Sequence, residues 1–323
     1  MRAWQVFEYG GNPALAERDD PIPAKGELVV RVEAVGLNFA DMLTIQGKYQ
    51  IKHVPPFTPG MEFSGVVERL GPDTAGPAPG TAVLATCPGG ALAERICLSA
   101  SRVSPFPASM SFVEAAGFPI AYGTSHLALT HKARLQPGET LFVTGAAGGV
   151  GLTAVEIGKR LGARVIASAR GAARLAIARE AGADLLIDSD APGLKEALKA
   201  EGGVDVVYDA VGGPAFDEAL RACRPDGRLL AIGFASGQVP QIPANLLLVK
   251  NLTVAGLWYG GYENHFPDIT ATSMAELLRW RADGLLRPHV SQVLPFDAFP
   301  EGLALLRDRK ATGKVVIRVS HAP

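Results

Sequence analysis

The stretch Glu139–Arg170, ETLFVTGAAGGVGLTAVEIGKRLGARVIASAR, determines the fold of this 323-residue chain. It begins with a short β-rich run, Thr140–Thr144, which passes directly into the glycine turn Gly145–Gly151. The segment Val150–Leu161 then has apolar residues at helical spacing, and Arg164–Ala169 has the composition of a second strand. The sequence therefore predicts one βαβ unit, in which a helix connects two parallel strands.

The glycine turn has a chemical use as well as a structural one. Such a turn between a strand and a helix lets the backbone approach a pyrophosphate, whose charge is stabilised by free N–H groups at the helix N-terminus. In the G-x-G-x-x-G template, Gly148 and Gly151 occupy the second and third glycine positions, and Ala146 occupies the first. The residues predicted to contact the phosphates are Ala147, Gly148, Gly149 and Val150.

The end of the second strand indicates which nucleotide is bound. A site selective for NAD usually has an Asp or Glu there, about 20 residues after the turn, to bind the ribose 2′-hydroxyl. Here the strand ends in Ser168, Ala169 and Arg170, and Arg174 follows one helical turn later. Guanidinium groups suit a 2′-phosphate because they stay charged and offer a planar set of donors. We therefore predict NADP(H), with Ser168, Arg170 and Arg174 at its ribose.

Composition limits the class of protein. The chain is 48% hydrophobic and 20% charged, which is ordinary for a globular protein. Its net charge of −1 provides no basic field, so neither nucleic acid nor a membrane is expected as a partner. Met1–Gly10 lacks the basic and apolar segments of a signal peptide, and three cysteines are too few for a disulfide framework. We expect a cytoplasmic protein with free thiols.

The pattern of strands and helices predicts two domains of an α/β protein. Residues 1–118 are β-rich and interrupted by Pro and Gly clusters, which is typical of a compact antiparallel β-barrel. In residues 119–260, six strands alternate with helices, and this alternation predicts a Rossmann doubly wound parallel six-stranded sheet. Residues 261–323 do not continue the alternation and are expected to return to the first domain.

Ligands of an open α/β sheet bind beyond the carboxyl ends of its strands. The residues that follow such strand ends and are predicted to contact the cofactor are Val211, Gly233, Phe234, Ala235, Trp258 and Tyr259. The three aromatic residues could instead close the hydrophobic core, and both interpretations stay open. Asp209, at the end of a buried strand, is interpreted as an acceptor that caps a helix or holds a turn, with a catalytic role as the alternative.

Six short segments give the chain a family resemblance. They are Gly36–Asp41, Gly47–Tyr49, Pro59–Glu62, Ala121–Thr124, Gly145–Gly151 and Ala311–Lys314. Together with the order of barrel, glycine turn and returning C-terminus, they resemble the medium-chain dehydrogenase/reductase superfamily. Within it, the chain is similar to the zinc-independent NADPH:quinone oxidoreductases of the zeta-crystallin-like group. The resemblance implies a GroES-like catalytic domain (residues 1–118), a Rossmann NADP(H) domain (119–260) and a returning C-terminal segment (261–323).

The resemblance also bears on metal binding. Zinc-dependent members have a Cys where this chain has Asn38 and a His where it has Met61, so that only Glu62 remains as a ligand. Zinc requires three or four thiolate, imidazole or carboxylate ligands, and we therefore predict no zinc. Reduction of an ordinary ketone needs a Lewis acid or a strong proton donor, and without zinc the site has no Lewis acid. A quinone or an activated enone is a better acceptor, since it delocalises the negative charge.

The family implies roles for several single residues. Asn38 is expected to face the nicotinamide ribose or the substrate, although its side chain could simply hydrogen-bond a buried turn. Tyr49 is expected to line the quinone pocket, with plain packing as an equal alternative. Thr124 matches a position near the nicotinamide amide, with helix capping as the alternative. A second tyrosine of the family is Leu43 here, and Lys314 is interpreted as solvated or as reaching a phosphate.

The main hypothesis is a zinc-free, NADPH-dependent quinone oxidoreductase, with the quinone between the two domains beside Asn38 and Tyr49. One alternative is a 2-enoyl or alkenal double-bond reductase, in which Tyr49 or another hydroxyl protonates the substrate. The other is a protein that binds NADPH without useful catalysis. The apolar edge strand Leu252–Tyr259 would promote association if left uncovered, so we expect a homodimer formed through it.

Overall fold

A computed structural model describes residues 1–319 of the chain. The chain divides into two compact units. Unit 1 contains Met1–Ile120 together with the residues from Pro288 onward, and unit 2 contains Ala121–Arg287. Unit 1 contains a seven-stranded sheet and a two-stranded sheet, and unit 2 contains a six-stranded sheet.

Strands and helices are numbered in chain order. Within residues 1–319 the strands are β1 (Arg2–Gln5), β2 (Ala14–Glu17), β3 (Glu27–Leu37), β4 (Glu62–Leu70), β5 (Ala82–Thr86), β6 (Arg95–Ser99), β7 (Val103–Pro105), β8 (Thr140–Val143), β9 (Arg164–Ala169), β10 (Leu185–Asp188), β11 (Val204–Asp209), β12 (Cys223–Ala231), β13 (Thr253–Gly256), β14 (Val290–Pro295) and β15 (Lys314–Arg318). The α-helices are α1 (Phe39–Ile45), α2 (Phe112–Ala116), α3 (Pro119–His126), α4 (Gly149–Arg160), α5 (Gly171–Glu180), α6 (Leu194–Ala200), α7 (Pro214–Ala222), α8 (Ala244–Lys250), α9 (Tyr259–His265), α10 (Pro267–Ala282) and α11 (Phe299–Arg307). A π-helical turn, Leu127–Lys132, extends α3, and short 3₁₀ turns are Ala100–Arg102 and Phe296–Ala298.

Unit 1 is organised around β3, an eleven-residue strand. It pairs in antiparallel fashion with β4, β6 and β15, within a sheet of order β14-β15-β3-β4-β5-β7. The valines of β3 suit a pleated, buried surface, and Val30, Val32 and Val35 form a core with Phe63 and Phe299. Because β15 pairs with β3, the last strand of the described chain lies in the sheet of unit 1.

Unit 2 contains the parallel sheet predicted from the glycine turn. Its order is β10-β9-β8-β11-β12-β13, and every pair of neighbours is parallel. Counted within the unit, this is the 3-2-1-4-5-6 order of the Rossmann fold, with the reversal between β8 and β11. The six-stranded doubly wound sheet is therefore confirmed. In this order β13 is an edge strand, as expected.

The boundary after the parallel sheet differs from the one drawn from the sequence. Residues 261–287 belong to unit 2, and the return to unit 1 begins at Pro288. Helix α10 accounts for the difference because it packs on α3 and α4: the Trp280 ring lies 5.2 Å from the His126 ring, and the Arg160 guanidinium lies 5.5 Å from Trp280. The Ser273 hydroxyl is also hydrogen-bonded to His126 Nδ1 at 2.7 Å. These contacts are tertiary, so strand and helix periodicity did not reveal them.

Several short elements were not predicted, among them β2, α1 and β14. Helix α1 follows Asn38, whose backbone N–H donates to Asp41 Oδ2 at 2.7 Å. The glycines and prolines around it conceal a helix of only seven residues. In the described part of the chain, no helix combines the length and the hydropathy needed to cross a membrane.

Candidate functional site

The glycine turn joins β8 to α4 and is held by backbone hydrogen bonds. The Gly148 N–H donates to the Gly145 carbonyl at 2.9 Å, and the Ala146 N–H donates to the Ser168 carbonyl in β9 at the same distance. Gly145 has φ +60°, in the left-handed region that favours glycine. The tight turn is thus made by Gly145, one residue before the first template position, which explains why Ala146 is tolerated there.

The two remaining template glycines meet different surroundings. A Cβ atom on Gly151 would lie 2.8 Å from the Gly145 carbonyl carbon and closer still to its oxygen, so α4 can approach the turn only through glycine. A Cβ atom on Gly148 would lie 3.3 Å from the Gly145 oxygen and, apart from its chain neighbours, within 4 Å of no other atom of residues 1–319. Within residues 1–319 no side chain caps α4. The turn therefore offers backbone N–H groups and a helix dipole, which fit a pyrophosphate.

Asp209 ends β11 and ties the turn to the loop after that strand. Its Oδ1 accepts from the Thr144 hydroxyl at 2.5 Å, and its Oδ2 accepts from the Gly212 N–H at 2.8 Å. The Thr144 hydroxyl itself accepts from the Ala210 N–H at 3.1 Å. Burial raises the pKa of Asp209, and the donors to its carboxylate, the Thr144 hydroxyl and the Gly212 N–H, oppose the rise. The interpretation of Asp209 as a turn acceptor is confirmed.

The loops after β11 and β12 lie together beside the glycine turn. The Ser236 N–H donates to the Val211 carbonyl at 2.9 Å, and a Cβ atom on Gly145 would lie 3.1 Å from the Val211 side chain. Phe234 is 40% exposed, so its ring is not a core residue. The predicted cofactor residues brought to this edge of the sheet are Val211, Gly233, Phe234 and Ala235.

Helices α3 and α9 bring Thr124 and Tyr259 into one neighbourhood. A Cβ atom on Gly123 would lie 2.5 to 2.7 Å from three atoms of the Tyr259 side chain, so this ring packs against the residue that precedes Thr124. The hydroxyl of Ser125, which follows Thr124, donates to the Val150 carbonyl in the first turn of α4 at 2.9 Å. Thr124 and Tyr259 are buried, whereas Trp258 is 36% exposed. Tyr259 thus packs inside unit 2, and contact with the cofactor stays open for both Tyr259 and Trp258.

The ribose end of the site contains acidic residues as well as the predicted arginines. Arg170 is the N-cap residue of α5, and its Nε donates to Asp190 Oδ1 at 3.2 Å; Arg174 follows one helical turn later. Asp188 Oδ1 accepts from the Gly171 N–H at 3.2 Å, and such backbone donors lower the pKa of Asp188. Neither aspartate was predicted as a site residue. The signal available was the end of β10, which the sequence located at Asp188.

A hydrogen-bonded network surrounds Asn38 in unit 1. Lys314 Nζ donates to Glu62 Oε1 at 2.7 Å, to Asn38 Oδ1 at 2.8 Å and to the Leu37 carbonyl at 2.7 Å. Asn38 Nδ2 in turn donates to Glu62 Oε1 at 2.9 Å. The side chains of Glu62 and Lys314 are 0% and 9% exposed. The interpretation of Lys314 as solvated or phosphate-bound is therefore wrong, because its ammonium is buried in an ion pair.

Two carboxylates complete this network. Asp41 Oδ2 accepts from the Asn38 backbone N–H, and burial raises the pKa of Asp41 to about 7. Glu62 Oε2 accepts from the Ile120 N–H at 2.9 Å. Both carboxylates hold backbone, and the Asn38 side chain hydrogen-bonds within unit 1, as one of its two interpretations required. A contact between Asn38 and a ligand belongs to the proposals below.

Tyr49 lies beyond the other end of α1. Its backbone N–H donates to the Leu43 carbonyl at 3.2 Å, and its side chain is partly buried. Helix α1 has seven residues and is therefore about 10 Å long. Asn38 and Tyr49 are thus near opposite ends of one short helix.

The sequence matches two protein-family profiles. One is described as "Alcohol dehydrogenase GroES-like domain" and covers residues 24–108, and the other as "Zinc-binding dehydrogenase" and covers residues 149–276. A quinone oxidoreductase-like protein 2 homolog from Nematostella vectensis is 40% identical over 298 residues, which are 90% of this chain and 81% of that protein.

Solved structures give the same result. The quinone oxidoreductase from Thermus thermophilus, also determined in complex with NADPH, is 37% identical with a TM-score of 0.88, covering 98% of this chain and 100% of that one. CurK enoyl reductase is 26% identical with a TM-score of 0.90 and 99% coverage of both chains. Since these matches run through both units, the chain belongs to the quinone oxidoreductase family of the medium-chain dehydrogenase/reductase superfamily, with GroES-like and Rossmann domains.

Proposed function

We propose that the protein is a zinc-free NADPH:quinone oxidoreductase, which transfers a hydride from NADPH to a quinone. The observation that carries the proposal is the Lys314 ammonium, 2.7 Å from Glu62. Glu62 is the only metal-binding side chain that remains at the positions where zinc-dependent relatives hold their metal. A divalent cation beside it would be repelled by the Lys314 ammonium. Asn38 and Met61, in place of Cys and His, do not fit zinc either. Across residues 1–319, no group of three or more His, Cys, Asp or Glu is arranged to hold a metal.

A site without a metal restricts the acceptor. Reduction of an isolated ketone needs a Lewis acid or a strong proton donor for the developing alkoxide. A quinone spreads that charge over a conjugated ring, so orientation next to the nicotinamide supplies much of the catalysis. The proton that completes the reduction comes from solvent or from a relayed hydroxyl. Asn38 and Tyr49 are the residues we assign to the nicotinamide and acceptor end of the site.

Unit 2 has the residues that NADP(H) needs. The glycine turn and the N-terminus of α4 bind the pyrophosphate, and Arg170 and Arg174 bind the 2′-phosphate. When bound, NADPH supplies the hydride. The remaining contacts come from Ser168, Thr124 and the residues after β11, β12 and β13. Arg170 already has a carboxylate partner in Asp190, so the phosphate must share or replace that partner.

The likeness to CurK enoyl reductase favours one rival function, a double-bond reductase on the same frame. Such an enzyme also uses NADPH, but it must protonate the substrate carbon next to the carbonyl. Tyr49 is the hydroxyl that we assign to that role in the rival. A protein that only binds NADPH is the other alternative, and turnover distinguishes it from both enzymes.

The test is NADPH oxidation by chelator-treated protein with a panel of acceptors: a naphthoquinone, an ortho-quinone, an alkenal and an enoyl-CoA. The proposal predicts fast turnover of a quinone and slow turnover of the others. Turnover confined to the alkenal or the enoyl thioester would assign the protein to the double-bond reductases. Tight NADPH binding with no turnover of any acceptor would favour the binding protein.

We further propose a homodimer formed through β13. This strand is an edge strand of unit 2, and the adjacent helix α8 exposes Leu248 at 78% and Val249 at 71%. A second copy related by a two-fold axis would extend the sheet and cover these side chains. Sedimentation at micromolar concentration tests the dimer, and a monomer would exclude it.

The three cysteines are free thiols, which supports the proposal of a reducing compartment such as the cytoplasm.

A further inference from the structure

Three buried hydroxyl groups of unit 2 lie beside the first turn of α4. They belong to Ser125 in α3, Thr153 in α4 and Tyr208 in β11, and the exposed fractions of these residues are 0%, 6% and 0%. The Ser125 oxygen lies 2.8 Å from the Thr153 oxygen and 2.9 Å from the Tyr208 oxygen. One hydrogen-bonded cluster therefore joins two helices to a central strand of the parallel sheet.

The direction of the first bond in this cluster follows from the partners available. Within residues 1–319, Ser125 is the only hydrogen-bond partner of the Tyr208 hydroxyl. A buried hydroxyl that donates to no acceptor is costly, so Tyr208 is the donor and Ser125 the acceptor. Burial raises the pKa of Tyr208, so the proton that this bond needs stays on the phenol oxygen at neutral pH.

The Ser125 and Thr153 hydroxyls in turn reach backbone carbonyls. The Val150 carbonyl, in the first turn of α4, lies 2.9 Å from the Ser125 oxygen and 3.1 Å from the Thr153 oxygen. The Thr153 hydroxyl also reaches the Ala121 carbonyl in α3 at 3.0 Å. The Val150 carbonyl is therefore the acceptor at which both hydroxyls meet.

The Val150 carbonyl belongs to the same peptide group as the Gly151 N–H. This group is planar and trans, so the direction of its C=O fixes the direction of its N–H, which points the opposite way. The N–H groups of Gly149, Val150 and Gly151 have no acceptor within residues 1–319, as expected where a helix begins. The Gly151 N–H is thus a donor that a phosphate can use, and its direction depends on what holds the Val150 carbonyl.

A hydrogen bond to a carbonyl also strengthens the N–H of the same peptide group. Hydrogen bonds in a chain polarise one another, by about 10–30% per bond. The chain here runs from the Tyr208 hydroxyl through Ser125 to the Val150 carbonyl, and it ends at the Gly151 N–H. A phosphate gains most from such a donor, because hydrogen bonds to an ionised acceptor are the strong ones.

We propose that Tyr208 and Ser125 are positioning residues for NADPH, which orient and polarise the Gly151 N–H so that it donates to a pyrophosphate oxygen. Both side chains are fully buried, so they act on the cofactor only through the peptide group of Val150 and Gly151. The inference rests on the proposed binding of the pyrophosphate at the N-terminus of α4. It adds one donor, Gly151, and the two side chains that support it.

The test compares the affinities of two ligands, measured by titration calorimetry without any acceptor. NADPH contains the pyrophosphate, whereas adenosine 2′-monophosphate has the 2′-phosphate and no pyrophosphate. Tyr208→Phe should weaken NADPH binding by about threefold and Ser125→Ala by about fivefold, within the range for one net hydrogen bond. Binding of adenosine 2′-monophosphate should be unchanged in both. The double variant should lose no more NADPH affinity than Ser125→Ala alone, because Tyr208 acts through Ser125.

Tyr122→Phe is the matched control. The Tyr122 hydroxyl is also buried against α4, where it donates to Glu156 Oε2 at 2.6 Å, about two turns beyond the first residue of the helix. Its removal should lower Tm and leave both affinities within about twofold of the natural values. Thermal unfolding of every variant checks that it is folded. If Ser125→Ala does not fold, Tyr208→Phe still tests the proposal, because it removes one oxygen and keeps the ring.

Equal losses of affinity for NADPH and for adenosine 2′-monophosphate would overturn the positioning role, because a merely structural network supports both ligands alike. Unchanged NADPH affinity in Tyr208→Phe and Ser125→Ala would overturn it as well.

Failure of the proposed function gives a different result. Gly148→Ala, titrated in the same way, tests whether the pyrophosphate binds at the glycine turn at all. If Gly148→Ala binds NADPH normally, the pyrophosphate assignment falls. If Gly148→Ala loses affinity and Tyr208→Phe does not, only the positioning role falls. No acceptor is present in these titrations, so the identity of the acceptor does not affect them.

Discussion

Replacing Gly151 by Ala tests how closely the phosphate turn is built. The added Cβ atom would lie 2.8 Å from the Gly145 carbonyl carbon and 3.0 Å from the Ala146 Cα atom. Non-bonded carbon atoms prefer about 3.5 to 4.0 Å, so the overlap is at least about half an ångström. All the crowded atoms are backbone, and the hydrogen bond from Gly148 to Gly145 prevents the turn from moving away.

Overpacking of this kind costs about 1–3 kcal/mol of unfolding free energy. In a domain the size of unit 2, each kcal/mol lowers Tm by about 2–4 °C, so Gly151→Ala should lower Tm by roughly 2–12 °C. Gly148→Ala is the matched control. The nearest atom to its new methyl group is the Gly145 oxygen at 3.3 Å, so Tm should change by less than about 2 °C. That methyl group instead obstructs the approach of a phosphate, so NADPH affinity should fall by about tenfold or more.

Scanning calorimetry and fluorescence titration with NADPH measure the two effects separately. The expected pattern is a stability loss in Gly151→Ala and an affinity loss without a comparable stability loss in Gly148→Ala. The reasoning is refuted if Gly151→Ala melts at the natural temperature, or if Gly148→Ala binds NADPH normally.

Three other changes test individual residues. Replacing Arg170 and Arg174 together by Ala should raise the KM for NADPH far more than the KM for NADH, and an equal effect on both would remove the 2′-phosphate assignment. Tyr49→Phe should reduce quinone turnover only modestly, whereas near-complete loss would indicate that this hydroxyl donates the proton. Burial raises the pKa of Asp41 from 3.8 to about 7, so the folded protein retains a proton there that the unfolded chain loses. The free energy of unfolding should therefore fall by roughly a few kcal/mol as pH rises from about 4 to about 7, and Asp41→Asn should abolish this fall. Urea unfolding of both proteins at about pH 4 and pH 7 measures it. Parallel pH profiles in the two proteins would be inconsistent with the raised pKa.

The Rossmann half of the fold was predictable because its signals are local. The glycine turn, the helix Gly149–Arg160 and the strand Arg164–Ala169 are neighbours in sequence, and their periodicity survives whatever packs around them. The position of the glycine turn beside the residues after β11 and β12 could be predicted as well, since parallel strands end at one edge of the sheet. What periodicity missed there was Asp190, which reaches Arg170 from the end of a different strand.

The Asn38 network was not predictable in the same way. Lys314 and Asn38 are 276 positions apart, and Glu62 is 252 positions from Lys314. A lysine near the end of a chain is usually solvated, and only the pairing of β15 with β3 brings this one beside a buried carboxylate. The replacement of Cys and His by Asn38 and Met61 was visible in the sequence, but the ammonium that compensates Glu62 was not.

The central claim is that a hydride passes from NADPH to a quinone without a metal. The most direct measurement is the rate of naphthoquinone-dependent NADPH oxidation before and after chelation, with bound metal determined by mass spectrometry and with NADPH deuterated at the transferred position as a second substrate. The account predicts metal-free protein with an unchanged rate that slows when the cofactor is deuterated. Loss of activity on chelation that zinc restores would contradict it.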